Sequence, residues 1–201
     1  MMKWMLISII SLASMTSALS AKSPVAPEKS PKEVSEQFYR MERAGARLTP
    51  EGWHRAAGLF LRPGAPTQDK KIFIVKNDVM SDTKVEGNRA EFYVQYLQLG
   101  QLDSSGRFLK ESKEPLEAGP ISVRVLYNLV LTDRHWELGA ERGEAKEVKG
   151  SPEWLIEGFQ PWLWITVDTA LRYLTELRDK ASDRGIKENA DRSIAALKRL
   201  R

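Results

Sequence analysis

Apolar positions recur at helical spacing at both ends of this chain and at strand spacing between them. Ser30 stands where an N-cap is wanted, Pro31 follows at the first helical position, and Glu33 completes a capping box. Val34, Phe38 and Met41 then fall on one face, and Gly45 reads as the stop. A second helix opens in the same way, with Thr49 as cap and Pro50 behind it. Its stripe is Trp53, Ala57 and Phe60, and Arg62-Pro63-Gly64 closes it.

The period then changes to two. Lys71 to Val75 is a short apolar run, followed by Asn77-Asp78. Arg89 to Leu102 is a long β-rich stretch, with Phe92, Val94 and Tyr96 on one side and Tyr93, Leu97 and Leu99 on the other. Ser104-Ser105-Gly106 reads as a turn and Arg107 to Lys110 as a return strand. After Gly119-Pro120, Val123, Val125, Tyr127, Leu129 and Leu131 alternate with Ser122, Arg124 and Asn128. That pattern gives a sheet one buried and one partly polar face, as antiparallel sheets have. Trp136 to Leu138 continues this strand past a bend at Asp133. The charged stretch Glu141 to Lys149 reads as a solvated hairpin loop, and Trp154 to Phe159 as the last strand, ending before Pro161.

Helical spacing returns at the end. Thr166 caps a helix with Val167, Ala170, Leu171, Leu174 and Leu177 on one face. Ser182-Asp183-Arg184-Gly185 interrupts it, and Ile186, Ala190, Ile194 and Leu197 form a further stripe. The two make an αα-hairpin. The expectation is an α+β fold: a curved antiparallel sheet, two N-terminal helices on its concave side and a C-terminal helical hairpin.

The first twenty residues alter the picture in another way. A short cationic start at Lys3 precedes the apolar run Trp4 to Ala13, and Ala18 and Ser20 sit where a signal peptidase needs small residues. The run is too short to cross a bilayer of about 30 Å as a helix. The expectation is a signal peptide over residues 1–20, a flexible leader over 21–30, the main domain over 31–160, the helical hairpin over 161–201, and a periplasmic or secreted protein. After cleavage it is not expected to be an integral membrane protein. There is no Cys, so no disulfide constrains the unfolded chain. Lys and Arg number 31 against 27 Asp and Glu, a net charge of +4. So small a surplus over a mixed surface does not make the concentrated basic face that nucleic acid requires.

The order of two helices followed by long strands, with Val123 to Leu131 as one strand and the Trp-x-Ile of Trp154-Leu155-Ile156-Glu157-Gly158-Phe159 in the next, resembles the nuclear-transport-factor-2-like superfamily. These cone-shaped α+β proteins include ketosteroid-isomerase-like enzymes and non-catalytic binding domains. The resemblance covers about residues 31–160. It implies a curved sheet wrapped around helices to enclose a pocket. The family's third opening helix is missing here or reduced to a turn, and residues 166–201 lie outside its plan.

No residue sits in a motif that carries a catalytic role over, and no catalytic residue is assigned. Trp53, Phe92, Tyr96 and Tyr127 are candidates to line a small apolar pocket. For an isomerase- or dehydratase-like alternative the raw material is Tyr127 with Asp78, Glu91 or His135, the last oriented by Asp133. His54, beside Trp53, reads as a boundary residue. Two His without Cys give no transition-metal set, no phosphate loop or dinucleotide fingerprint is present, and no cofactor is expected.

The favoured function is an exported, non-catalytic binding or interaction module. The partners it implies are a small apolar ligand, or a second copy or envelope protein held through the C-terminal helices. The second of these partners would make the chain an envelope scaffold. An open cavity holding a carboxylate or His135 near Tyr127 would favour the enzyme. A cavity filled by Trp53, Phe92 and the Trp162–Trp164 segment would leave interaction.

Overall fold

The computed structural model describes residues 26–64, 71–110, 120–138, 145–158 and 162–201. The signal-peptide expectation and Phe159 lie outside them. The α-helices are α1 (Pro31–Arg43), α2 (Pro50–Ala57), α3 (Val167–Lys180) and α4 (Arg184–Lys198), with a 3-10 turn at Ala46–Leu48. The strands are β1 (Lys71–Met80), β2 (Lys84–Glu86), β3 (Arg89–Leu102), β4 (Phe108–Lys110), β5 (Ile121–Leu138), β6 (Ala145–Glu157) and β7 (Trp162–Thr166).

The helix signals are realised at atomic level. Ser30 Oγ accepts the Glu33 amide while the Glu33 carboxylate accepts the Ser30 amide. Thr49 caps α2, Thr166 caps α3 and Asp183 caps α4, each through its side-chain oxygen. Gly45 turns the chain out of α1 with φ of 72°, a conformation only glycine adopts without strain. α2 ends at Ala57, a turn before the predicted stripe does, and Phe60 instead bridges to Ile156.

The strands form one curved, unclosed sheet in the order β6-β5-β3-β1-β7, with β2 and β4 paired onto β3. Three expectations are corrected. The sheet is mixed: β7 follows β6 and runs parallel to β1, from Lys71↔Trp162 to Val75↔Thr166. Residues Trp162–Thr166 are apolar on both faces and show no alternation, as a strand covered on both sides does not. The first strand runs on through Asn77-Asp78 to Met80, its register shifting around Val75. Ala145 to Lys149 is strand, pairing with the end of β5. Its Lys146, Glu147 and Lys149 are the charge of an exposed sheet edge, which resembles loop composition. The bend expected at Asp133 is a register shift between Thr132 and Arg134.

Two apolar clusters lie on opposite sides of this sheet, because neighbouring strand residues divide between them. Phe73 and Trp164 belong with Val34, Phe38, Phe60, Phe92, Tyr96 and Tyr127 on what we term the inner face. Ile72, Ile74, Leu163 and Ile165 belong with Ala170, Leu174, Ala190 and Leu197 on the outer face. Polar contacts fix the α3–α4 hairpin there: Phe108 N donates to Ser193 Oγ at 2.7 Å, and Asn189 Nδ2 to Ser105 Oγ at 3.1 Å. At the turn between β3 and β4, a side chain on Gly106 would meet Leu177 at 2.7 Å, so the hairpin sits directly on this turn.

Candidate functional site

Three of the four pocket candidates lie on the inner face. Trp53, Phe92, Tyr96 and Tyr127 are all buried. The structure brings three of them into one cluster: the Phe92 and Tyr127 rings stack at 5.0 Å, and Tyr96 stacks on Trp164 at 4.5 Å with the planes 5° apart. Phe38 of α1 closes on Tyr127 at 5.0 Å. The Tyr96 and Tyr127 hydroxyls lie 3.4 Å apart. Desolvation pushes both phenols well above the ordinary tyrosine value, for Tyr96 reinforced by Tyr127 and for Tyr127 by Glu42. They are neutral hydroxyls, able to share a hydrogen bond and unable to act as phenolates at ordinary pH.

A buried ion pair adjoins them. Glu42 is the one acid on the apolar stripe of α1, eight residues after Val34, and is 1% exposed. Arg47, 2% exposed, donates to its carboxylate through Nε at 2.8 Å and through a terminal nitrogen at 2.5 Å. The same pair reaches β7: Arg47 donates to the Trp162 carbonyl at 2.6 Å, and Glu42 accepts the Trp164 amide at 3.1 Å. These are backbone groups on the edge of β7 turned away from β1. Two side chains therefore take the place of a further strand and close this edge. The sequence signal was an acid on a buried stripe; its partner, beyond Gly45, carried none.

The carboxylates proposed for an enzyme are divided. Asp78 is buried, with Oδ2 3.0 Å from Arg43 Nε, and it lies opposite Tyr96 in register. Nearby Tyr39 is pushed up to about 12 by desolvation and by Asp78. Glu91 is half exposed and sits 4.0 Å from Lys84. His135 is elsewhere: its Nδ1 lies 3.0 Å from Glu153 Oε1. Asp133, expected to orient it, pairs instead with Lys149 at 3.5 Å. Asp133 and His135 are two apart on β5, but the register shift next to Asp133 separates them, and Glu153 comes across from β6.

Three clefts open on the surface. One of about 490 Å³ is lined by Lys84, Val85, Arg89, Ala90 and Leu129, among others, and a neighbour of about 360 Å³ by Asp82, Phe92, Tyr93, Arg124 and Leu126. They share Lys84 and Glu91. The third, about 450 Å³, holds both histidines together with Phe60, Pro63, Trp136 and Glu153. Of the four pocket candidates only Phe92 borders any of these clefts. Among the described residues no cluster of three metal-ligating side chains occurs, and no helix is long and apolar enough to cross a membrane.

No family model matches this chain, and no curated protein matches it significantly.

Proposed function

We propose that this protein is an exported, non-catalytic interaction module that acts through the outer face of its sheet. The observation that carries this reading is a contrast in packing. The inner aromatic side chains are stacked on one another, whereas the outer face beyond the α3–α4 hairpin keeps large apolar side chains in solvent. Leu126 is 51% exposed and Val79 66%. The buried carboxylates favour no enzyme, because Glu42 and Asp78 each answer an arginine and His135 is remote from Tyr127. The C-terminal stripe expected to hold a partner is used within the fold: Ala190 and Leu197 are fully buried. The element order keeps the likeness to nuclear-transport-factor-2-like proteins as part of this proposal, with β7 and the hairpin as additions to their plan.

The occupant favoured by the charge pattern is a second copy. On the outer face Glu91 pairs with Asn128, Tyr93 with Leu126 and Gln95 with Arg124, in three successive rows. A two-fold axis lying in the interface and crossing the middle row obliquely would set Arg124 of one copy over Glu91 of the other, with Tyr93 and Leu126 between them. Sedimentation velocity on the chain from Ala21 tests this. A dimer that Leu126→Arg converts to a folded monomer supports it; a wild-type monomer, or a dimer indifferent to Leu126→Arg, overturns it. A small apolar ligand would have to enter the packed inner cluster. Thermal shift with acyl compounds and no change in melting would remove that reading.

A further inference from the structure

The cleft between α2 and the β5–β6 pair lies apart from the outer face and meets the inner cluster only at Phe60. It gathers the only two histidines of the chain, 81 positions apart in sequence, into one concavity of about 450 Å³. That volume is in the range of small-molecule sites. Its apolar lining comes from Ala57, Phe60, Pro63 and Trp136, and its polar side chains are His54, His135 and Glu153.

The charges decide what such a cleft would hold. The one acid, Glu153, is engaged by His135, with Nδ1 and Oε1 3.0 Å apart. That contact turns the other imidazole nitrogen away from Glu153 and takes up one of the two carboxylate oxygens. Arg62, next to lining residue Pro63, lies over the Trp136 ring at 5.5 Å and makes no ion pair among the described residues. A guanidinium held over an indole by cation–π attraction can still present N–H donors to a bidentate acceptor. The cleft therefore has a hydrogen-bonded acid and an aromatic wall, Trp136, over whose ring the neighbouring Arg62 lies.

We infer that this cleft binds a small organic carboxylate. The flat apolar part lies along Trp136 and Phe60, and the carboxylate meets Arg62 with His54 as a second donor. Trp136 contributes both area and placement, since the ring that receives the ligand also holds the guanidinium. The oxyanion is the recognised group, and a free acid or the C-terminal carboxylate of a peptide would present the same chemistry.

Because the chain has only two histidines, their ring signals in a proton–carbon spectrum of the intact protein report on this cleft without ambiguity. The probes are benzoate, its neutral analogue benzamide, the cation benzylamine, and a short peptide ending in phenylalanine. Benzoate is expected to shift both histidine rings saturably, at about millimolar affinity. Benzamide is expected to leave them in place. Arg62→Ala, at an exposed position, should weaken benzoate about tenfold, the scale of a lost charge-assisted hydrogen bond. Tighter binding of the peptide than of benzoate would assign the site to chain termini, and the reverse to free acids; either keeps the carboxylate as the recognised group. No saturable shift with benzoate, equal affinity in Arg62→Ala, or a response to benzylamine in its place overturns the inference.

Discussion

The outer face of the sheet is treated in two ways along its length, and the difference shows where folding ends and exposed surface begins. Under the α3–α4 hairpin, Ile74, Leu163 and Ile165 of the sheet and Leu174, Ala190 and Leu197 of the helices are at most 1% exposed. A few residues along the same strands, Val79 and Leu126 stand in solvent, with Arg124 stacked at 3.5 Å on the Tyr93 ring. Both halves come from strands with similar apolar content. What separates them is the reach of two short helices, which cover β7, β1 and the end of β3. A bulge near Leu99 takes part in this division: on β3 the inner-facing residues are even-numbered up to Tyr96, while Leu102, also even, packs outward against the hairpin.

The largest way to break the covered half is to open its edge. Arg47→Met leaves Glu42 buried without its partner and should cost about 3–5 kcal/mol in urea unfolding. Adding Glu42→Gln should recover much of that loss, since the amide still accepts from Trp164; a double variant no better than the single one would deny the pair its role. Leu174→Ala, in the middle of the hairpin interface, is expected to cost about 2–5 kcal/mol. A loss under about 1 kcal/mol would mean that the hairpin is only loosely docked.

A smaller effect separates the buried phenols from the exposed surface. Tyr39, Tyr96 and Tyr127 all hold their protons more tightly in the folded chain than in the unfolded one. Their contribution to stability is complete below the ordinary tyrosine value of about 10 and is lost as pH rises through the folded value, about 12 for Tyr39. The urea midpoint should fall above pH about 10, and Tyr39→Phe should flatten the early part of that fall. An unchanged profile in the variant would assign the alkaline loss elsewhere. Smallest of all in stability is Leu126→Arg, expected within about 0.5 kcal/mol of the parent because the site is exposed. Its effect should appear in self-association, and a large loss of stability there would place Leu126 in a covered region.

Much of the secondary structure could be read from local chemistry. Ser30 with Glu33, Thr49 with Pro50 and Thr166 are caps whose hydrogen bonds close within three residues, and the limits of β3 were read from its composition. β7 and the start of β6 could not be read in this way, because a strand buried on both faces shows no alternation and an edge strand is charged like a loop. The inner aromatic set was legible as apolar, but its packing was not, since Tyr96 meets Trp164 only once β7 lies beside β1. The cleft was less legible still. Its histidines stand on α2 and β5, far apart in sequence, and Glu153 and Arg62 carry no signal, because residues of β6 and of the turn after α2 meet only across the folded sheet.

The sequence by itself determined the helix starts, most of the strand positions, the absence of disulfides and the mixed surface charge, all of which depend on neighbours along the chain. The tertiary structure alone decided the parallel seating of β7, the closing of its edge by Glu42 and Arg47, the choice of Glu153 over Asp133 as the partner of His135, and the half of the outer face left open. Each of these depends on contacts between residues far apart in the chain, and local periodicity carries no information about such contacts.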